Sequence, residues 1–169
     1  MSMVACFVAV KDEDYQRLMA DPEAIVPFLT PMERRWTEVG ERYLDLDKSW
    51  HAIHFFLTGD PWGGAAPQKD AVMGGDRYGA DVVGYGPAGF LSTDRVRAVN
   101  DYLSSLPEDF IEASYDGAIL SEQEIYPDIW DDYEEIDDGA EYVVHYFKKL
   151  VEFYRYAAEN NYHIIQYTC

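Results

Sequence analysis

Asp47, His51 and His54 are the side chains of this 169-residue chain whose types and spacing most readily do chemistry. They lie in Asp45-Leu-Asp-Lys-Ser-Trp-His-Ala-Ile-His-Phe-Phe-Leu-Thr-Gly59, which reads as an amphipathic helix from about Leu46 to Thr58, stopped by Gly59-Asp60-Pro61. At about 100° per residue the three polar groups share one side, while Leu46, Trp50, Ile53, Phe56 and Leu57 form a broad apolar face. An Asp four residues before a His can fix its tautomer and raise its pKa, as a base or proton relay requires. Two His three apart can ligate a metal if a third ligand arrives from elsewhere. The plainer alternative is an Asp that serves the helix dipole, with the imidazoles hydrogen-bonded to a loop. Neither His-Glu-x-x-His nor a Cys cluster supports zinc, so no metal or other cofactor is expected.

Residues 3–10 are continuously apolar and predict a buried opening strand. Short helices follow from Lys11 to Met19 and from Asp21-Pro22, the second ending by Pro31. Residues 59–80 hold six glycines with Pro61 and Pro67, which suggests a long irregular excursion with one helical turn at Lys69–Met73. Asp81–Pro87 reads as a second strand, and Ser92 or Thr93 caps a helix through about Leu106. From near Ala140 to Asn160 Val143, Phe147, Leu150, Tyr154 and Ala157 repeat at helical spacing. Flanking apolar residues widen that stripe to about half the circumference, which suits a helix laid across a sheet. Asn161 is a left-handed stop, and Tyr162–Tyr167 a closing strand. The expectation is one α+β domain over residues 1–169, with a small mixed or antiparallel sheet covered by several helices, the longest at the C-terminus.

Apolar residues make up 48% of the chain, too many for a disordered protein. No apolar run approaches the ~20 residues of a membrane span. Met1–Cys6 lacks the basic flank of a signal peptide. With only Cys6, in a core strand, and Cys169, at a chain end expected to be mobile, no disulfide framework is expected and the cytoplasm is the default location.

The net charge of −19 is uneven, because residues 98–147 hold fifteen Asp and Glu and no Lys or Arg. Such a field repels nucleic acid and anionic membranes, so a macromolecular partner should be a basic protein. Tyr126, Trp130 and Tyr133 lie among the carboxylates Asp131, Asp132, Glu134 and Glu135, and aromatic anchors within a charged rim are what interfaces use. The same run also reads as a solvated, solubilising surface with a turn at Asp116-Gly117. No start places EF-hand ligands and a glycine in register. Gly84-Tyr85-Gly86-Pro87-Ala88-Gly89 matches the dinucleotide fingerprint in letters only, since the next helix starts after Ser92 and Pro87 removes an amide; a structural turn is expected.

Several of these segments together resemble the YfbM-like family of small bacterial proteins. They are the opening strand, the Leu-Asp-Lys-Ser-Trp-His-Ala-Ile-His helix ending in Leu-Thr-Gly, and the Gly74-Gly75 pair. Gly-Tyr-Gly-Pro-Ala at 84–88, Tyr126-Pro127 with Trp130, and Phe153-Tyr154 with Ala157-Ala158 complete the set. The resemblance implies a compact α+β fold and a bacterial source, and it brings no catalytic residues with it. Two functions are therefore expected. The first is a non-enzymatic binding module whose acidic, aromatic-containing segment, about residues 108–141, docks a basic partner. The second is a small enzyme or ligand-binding domain with a pocket beside the Asp47/His51/His54 stripe, lined by Trp50, Tyr85 and, as a further candidate, the glycine-rich loop.

Overall fold

The computed structural model describes residues 2–30, 40–130 and 136–169. Its centre is a five-stranded sheet in the order β2-β1-β5-β4-β3, every neighbouring pair antiparallel. The strands are β1 (Ala5–Val10), β2 (Tyr43–Asp45), β3 (Asp76–Asp81), β4 (Pro87–Leu91) and β5 (His163–Thr168). The helices are α1 (Asp12–Ala20), α2 (Ile25–Leu29), α3 (Trp50–Thr58), α4 (Thr93–Ser105), α5 (Phe110–Ser114), α6 (Gly117–Glu122) and α7 (Ile136–Glu159). The α+β expectation holds, and the sheet is purely antiparallel.

β1 is apolar throughout because it is covered twice. Alternate residues of a strand point to opposite faces, so Ala5, Phe7 and Ala9 pack under α7 and α4 while Cys6, Val8 and Val10 pack under α1 and α2. α7 lays Val143, Phe147, Leu150, Tyr154 and Ala157 on the first face, and Phe7 meets Phe153 edge-on. Ser92 caps α4 by accepting the Arg95 amide, and Asn161 takes the left-handed conformation (φ +54°) that stops α7.

Four expectations change. Asp76–Asp81 is strand β3, the outer edge of the sheet, within what reads as an irregular excursion. Residues 82–86 form the β3–β4 hairpin loop rather than a strand, its Gly84 and Gly86 amides both donating to the Asp81 carboxylate. Between Phe110 and Glu122 the acidic segment holds two helices, α5 and α6, and the Asp116 side chain accepts the Ile119 amide and so starts α6 instead of making a turn. Finally, Cys6 and Cys169 are bonded to each other, and Cys169 is no loose end: its backbone exchanges two hydrogen bonds with Val4. Since disulfides persist in oxidising surroundings, the cysteines no longer argue for the cytoplasm. Among the described residues no helix is long and apolar enough to cross a membrane.

Candidate functional site

The helix carrying the histidines starts later than its periodicity suggests. Asp47–Ser49 is a 3₁₀ turn, and Asp47 itself sits at φ +47°. That break turns the Asp47 carboxylate away from α3, where it accepts the Tyr142 hydroxyl of α7 at 2.9 Å. Burial and the Asp47 charge push the Tyr142 hydroxyl far up, so it stays a donor. The expected Asp47–His51 relay is therefore not formed, and Asp47 ties α3 to α7.

His51 is buried, with both ring nitrogens engaged. Nε2–H donates to the Pro61 carbonyl at 2.7 Å, and Nδ1 accepts the Tyr126 amide at 2.9 Å. That pair of bonds requires the neutral Nε2–H tautomer, and burial lowers the pKa to match. The ring stacks on Trp50 at 4.9 Å and lies 4.2 Å from Trp62, while Trp50 stacks on Tyr126. Trp50 Nε1–H donates to the Met3 carbonyl, and the Tyr126 hydroxyl accepts the Met3 amide. His51 thus fastens α3, the 60–63 turn, the 126 loop and the N-terminal strand into one aromatic stack.

His54 is also fully buried; among the described residues neither nitrogen completes a well-formed hydrogen bond, and the Gly63 backbone is the polar group that acts on it. Burial, with the neighbouring His51, lowers its pKa from 6.5 to about 4. Above pH 6.5 the group is neutral folded or unfolded and adds no pH dependence. Between 6.5 and 4 only the unfolded chain takes the proton, so stability falls with pH across that window, by up to about 3 kcal/mol. His51 is shifted in the same direction and steepens the loss. Urea unfolding at pH 7, 5.5 and 4 is expected to show this slope, and His54→Leu to flatten it.

The stack forms one wall of a 240 Å³ cavity at the end of the sheet where β1 begins and β5 ends. Trp50, Trp62 and Tyr85 line it with Met3, Met73 and Arg77. Trp62 is presented by a turn in which the Asp60 carboxylate accepts the Trp62 and Gly63 amides, and its indole is 61% exposed. Tyr85 comes from the β3–β4 hairpin, so the glycines of the fingerprint-like sequence shape that loop instead of cradling phosphate. Arg77 pairs with Gly89, Gly89 with Gln166 and Gln166 with Phe7, a row that puts Arg77 on the sheet face holding the cavity. Its Nη1 donates to the Pro87 carbonyl.

A second network holds the cavity's Met73 side. Buried Asp70 receives Arg95 through two hydrogen bonds, Nε at 2.9 Å and Nη2 at 2.8 Å. The Tyr154 hydroxyl and the Gln166 side-chain amide donate to the Asp70 carbonyl, and Gln166 Oε1 accepts the Gly75 amide. Gly75 must be glycine, since a Cβ there would fall 2.6 Å from the Gly89 carbonyl carbon.

Of the residues singled out in the sequence, Trp50 and Tyr85 meet in the cavity, His51 braces Trp50 and Trp62 of its wall, Asp47 is turned to Tyr142, and His54 is buried. Trp130 is buried and donates Nε1–H to the Ile125 carbonyl, and half-buried Tyr126 belongs to the stack, so neither stands out as a surface anchor. Asp131, Asp132, Tyr133, Glu134 and Glu135 lie outside the described residues. Among the described residues no group of three or more His, Cys, Asp or Glu could hold a metal ion. Trp62, Arg77 and the Asp70–Arg95 pair went unread. An indole in a polar loop was the available signal for Trp62, whereas nothing local marks Arg77.

The family model described as "Domain of unknown function (DUF1877)" matches residues 1–167. The chain belongs to this family. It is similar to Protein YfbM of Escherichia coli (strain K12), with 29% identity over 132 residues, covering 76% of this chain and 75% of that protein. A crystal structure of YfbM from Escherichia coli, presented as a protein of unknown function, superposes with a TM-score of 0.69 at 21% identity, covering 98% of this chain and 99% of that one. The DUF1877 fold is thereby shown, and the site must be argued from its own geometry.

Proposed function

We propose that this DUF1877 protein is a binding domain that holds a small, largely apolar ligand between Trp62, Trp50 and Tyr85. The observation that carries the reading is the convergence of Trp50, Trp62 and Tyr85, from three separate segments, on one 240 Å³ cavity. That volume lies below the ~300–1,000 Å³ usual for drug-sized ligands, so the ligand is small. A non-catalytic role is favoured because both His51 nitrogens are committed to backbone partners, leaving no lone pair to take a ligand's proton. The test is a tryptophan-fluorescence titration against small aromatic compounds, beginning with indole and benzoate. Trp62→Ala is the decisive variant, since an exposed indole leaves without unfolding the chain. Its expected result is a loss of affinity of up to about tenfold with the chain still folded, the energy of one aromatic contact.

A second reading is favoured by the acidic helices. Ile119 and Ile129 are exposed in the same segment as exposed Glu112, Glu122, Glu124 and Asp128, a mix of apolar and anionic groups suited to a basic protein partner. Neutralising Asp131, Asp132, Glu134 and Glu135 should then abolish salt-sensitive partner retention, and Trp62→Ala should leave it intact.

A further inference from the structure

On the far side of the sheet's edge, away from the aromatic cavity, a 470 Å³ groove runs between β2 and α7. Four aromatic side chains line it, Tyr43, Tyr146, Phe153 and Tyr156, together with the carboxylates Glu41, Asp45 and Glu152. Among the described residues Lys149 is the cation of this lining, and its ammonium already lies 5.0 Å from the centre of the Tyr146 ring. We propose that this groove binds an organic ammonium ion.

Three facts carry the inference together. Aromatic faces attract cations through their quadrupole, more strongly as water is excluded. The Lys149 contact marks Tyr146 as a ring face that already takes an ammonium in this fold. Among the described lining residues Glu41, Asp45 and Glu152 stand against Lys149, in a chain of net charge −19 whose field draws cations. Burial pushes the Asp45 carboxyl up, with Asp47 adding to the rise, while the Asp47 amide and Lys149 hold it down. A second ammonium beside it would favour the charged carboxylate further. Alkylated ammonium groups suit such a site better than metal ions, because they gain from the rings and lose little hydration.

The probe is choline, compared with its uncharged isostere 3,3-dimethylbutan-1-ol, by calorimetry and by ring proton shifts of Tyr146 at low salt. Choline should bind at least tenfold tighter than the alcohol, and exposed Glu152→Gln should weaken it several-fold. The sharpest pair is Lys149→Met against Lys148→Met. Both remove one positive charge, yet only Lys149 covers the ring, so only Lys149→Met should tighten choline binding beyond the general field effect. A trimethyl-lysine peptide bound more tightly than choline would assign the ammonium to a protein tail, and the reverse to a free small molecule. Equal binding of choline and the alcohol, equal effects of the two lysine variants, or no saturable binding would each overturn the proposal. Because the groove shares no lining residue with the aromatic cavity, Trp62→Ala should leave choline binding unchanged.

Discussion

Reducing the Cys6–Cys169 bond should lower the unfolding free energy by roughly 5 kcal/mol, the chain-entropy value for a loop spanning 163 residues. The bond joins the first strand to the last. β1 and β5 pair from Ala5↔Thr168 to Val10↔His163, so the two cysteines sit diagonally on the face covered by α1 and α2. The folded chain already holds these strands by backbone bonds, and the cross-link therefore acts chiefly on the unfolded chain, which it keeps from separating its ends. That mechanism has its own signature. Reduced protein, or Cys169→Ser, should lose stability and also show a larger urea m-value, because its unfolded state exposes more surface. Equal stability with an unchanged m-value would contradict it. A loss of stability at constant m would instead assign the effect to packing around the sulfurs.

Asp70→Ala should cost about 3–5 kcal/mol, the usual penalty when one member of a buried ion pair is removed. Asp70 is 4% exposed, and its carboxylate receives Arg95 through two hydrogen bonds. The Arg95 guanidinium would keep Asp76 and the Gly74 carbonyl, both nearer the surface. The loss is expected to spread, because the Asp70 segment positions Met73 and Gly75 against the sheet and so shapes the cavity. A double variant, Asp70→Leu with Arg95→Met, should recover much of the stability, since apolar replacement of a buried pair is often neutral. Urea unfolding of Asp70→Leu, Arg95→Met and the double closes the cycle. Additive losses would mean that the pair does not act as a unit.

What could be read in the sequence was whatever one strong local pattern dictates. β1 is a continuous apolar run because both its faces are buried, and α7 declares itself through a long stripe of helical period. The Ser92 cap and the Asn161 stop follow from side-chain chemistry alone. The failures share a cause, which is that tertiary partners decided them. β3 is a polar edge strand, exposed at both ends, with no alternation to betray it. β2 is three residues long and exists because β1 accepts it. The acidic segment hides α5 and α6 under its charge, although Ile111 and Leu120 anchor them in the core.

The candidate site divides the same way. Helical spacing put Asp47 beside His51, but the positive φ of Asp47 breaks the helix before that spacing applies. His51, read as chemistry, is the buried fastening of an aromatic stack. Trp50 and Tyr85 were found for their aromatic character. Their meeting with Trp62 and Arg77 depends on the strand order, which brings the β3–β4 hairpin next to β5 and thus to the start of β1.

The most direct test of the cavity is a crystal structure of the protein soaked with indole, with Trp62→Ala treated identically. A ring ordered between Trp62, Trp50 and Tyr85 in the wild type, and absent from the variant, is the predicted result. Indole bound elsewhere, or an empty cavity at saturating concentration, would contradict the account.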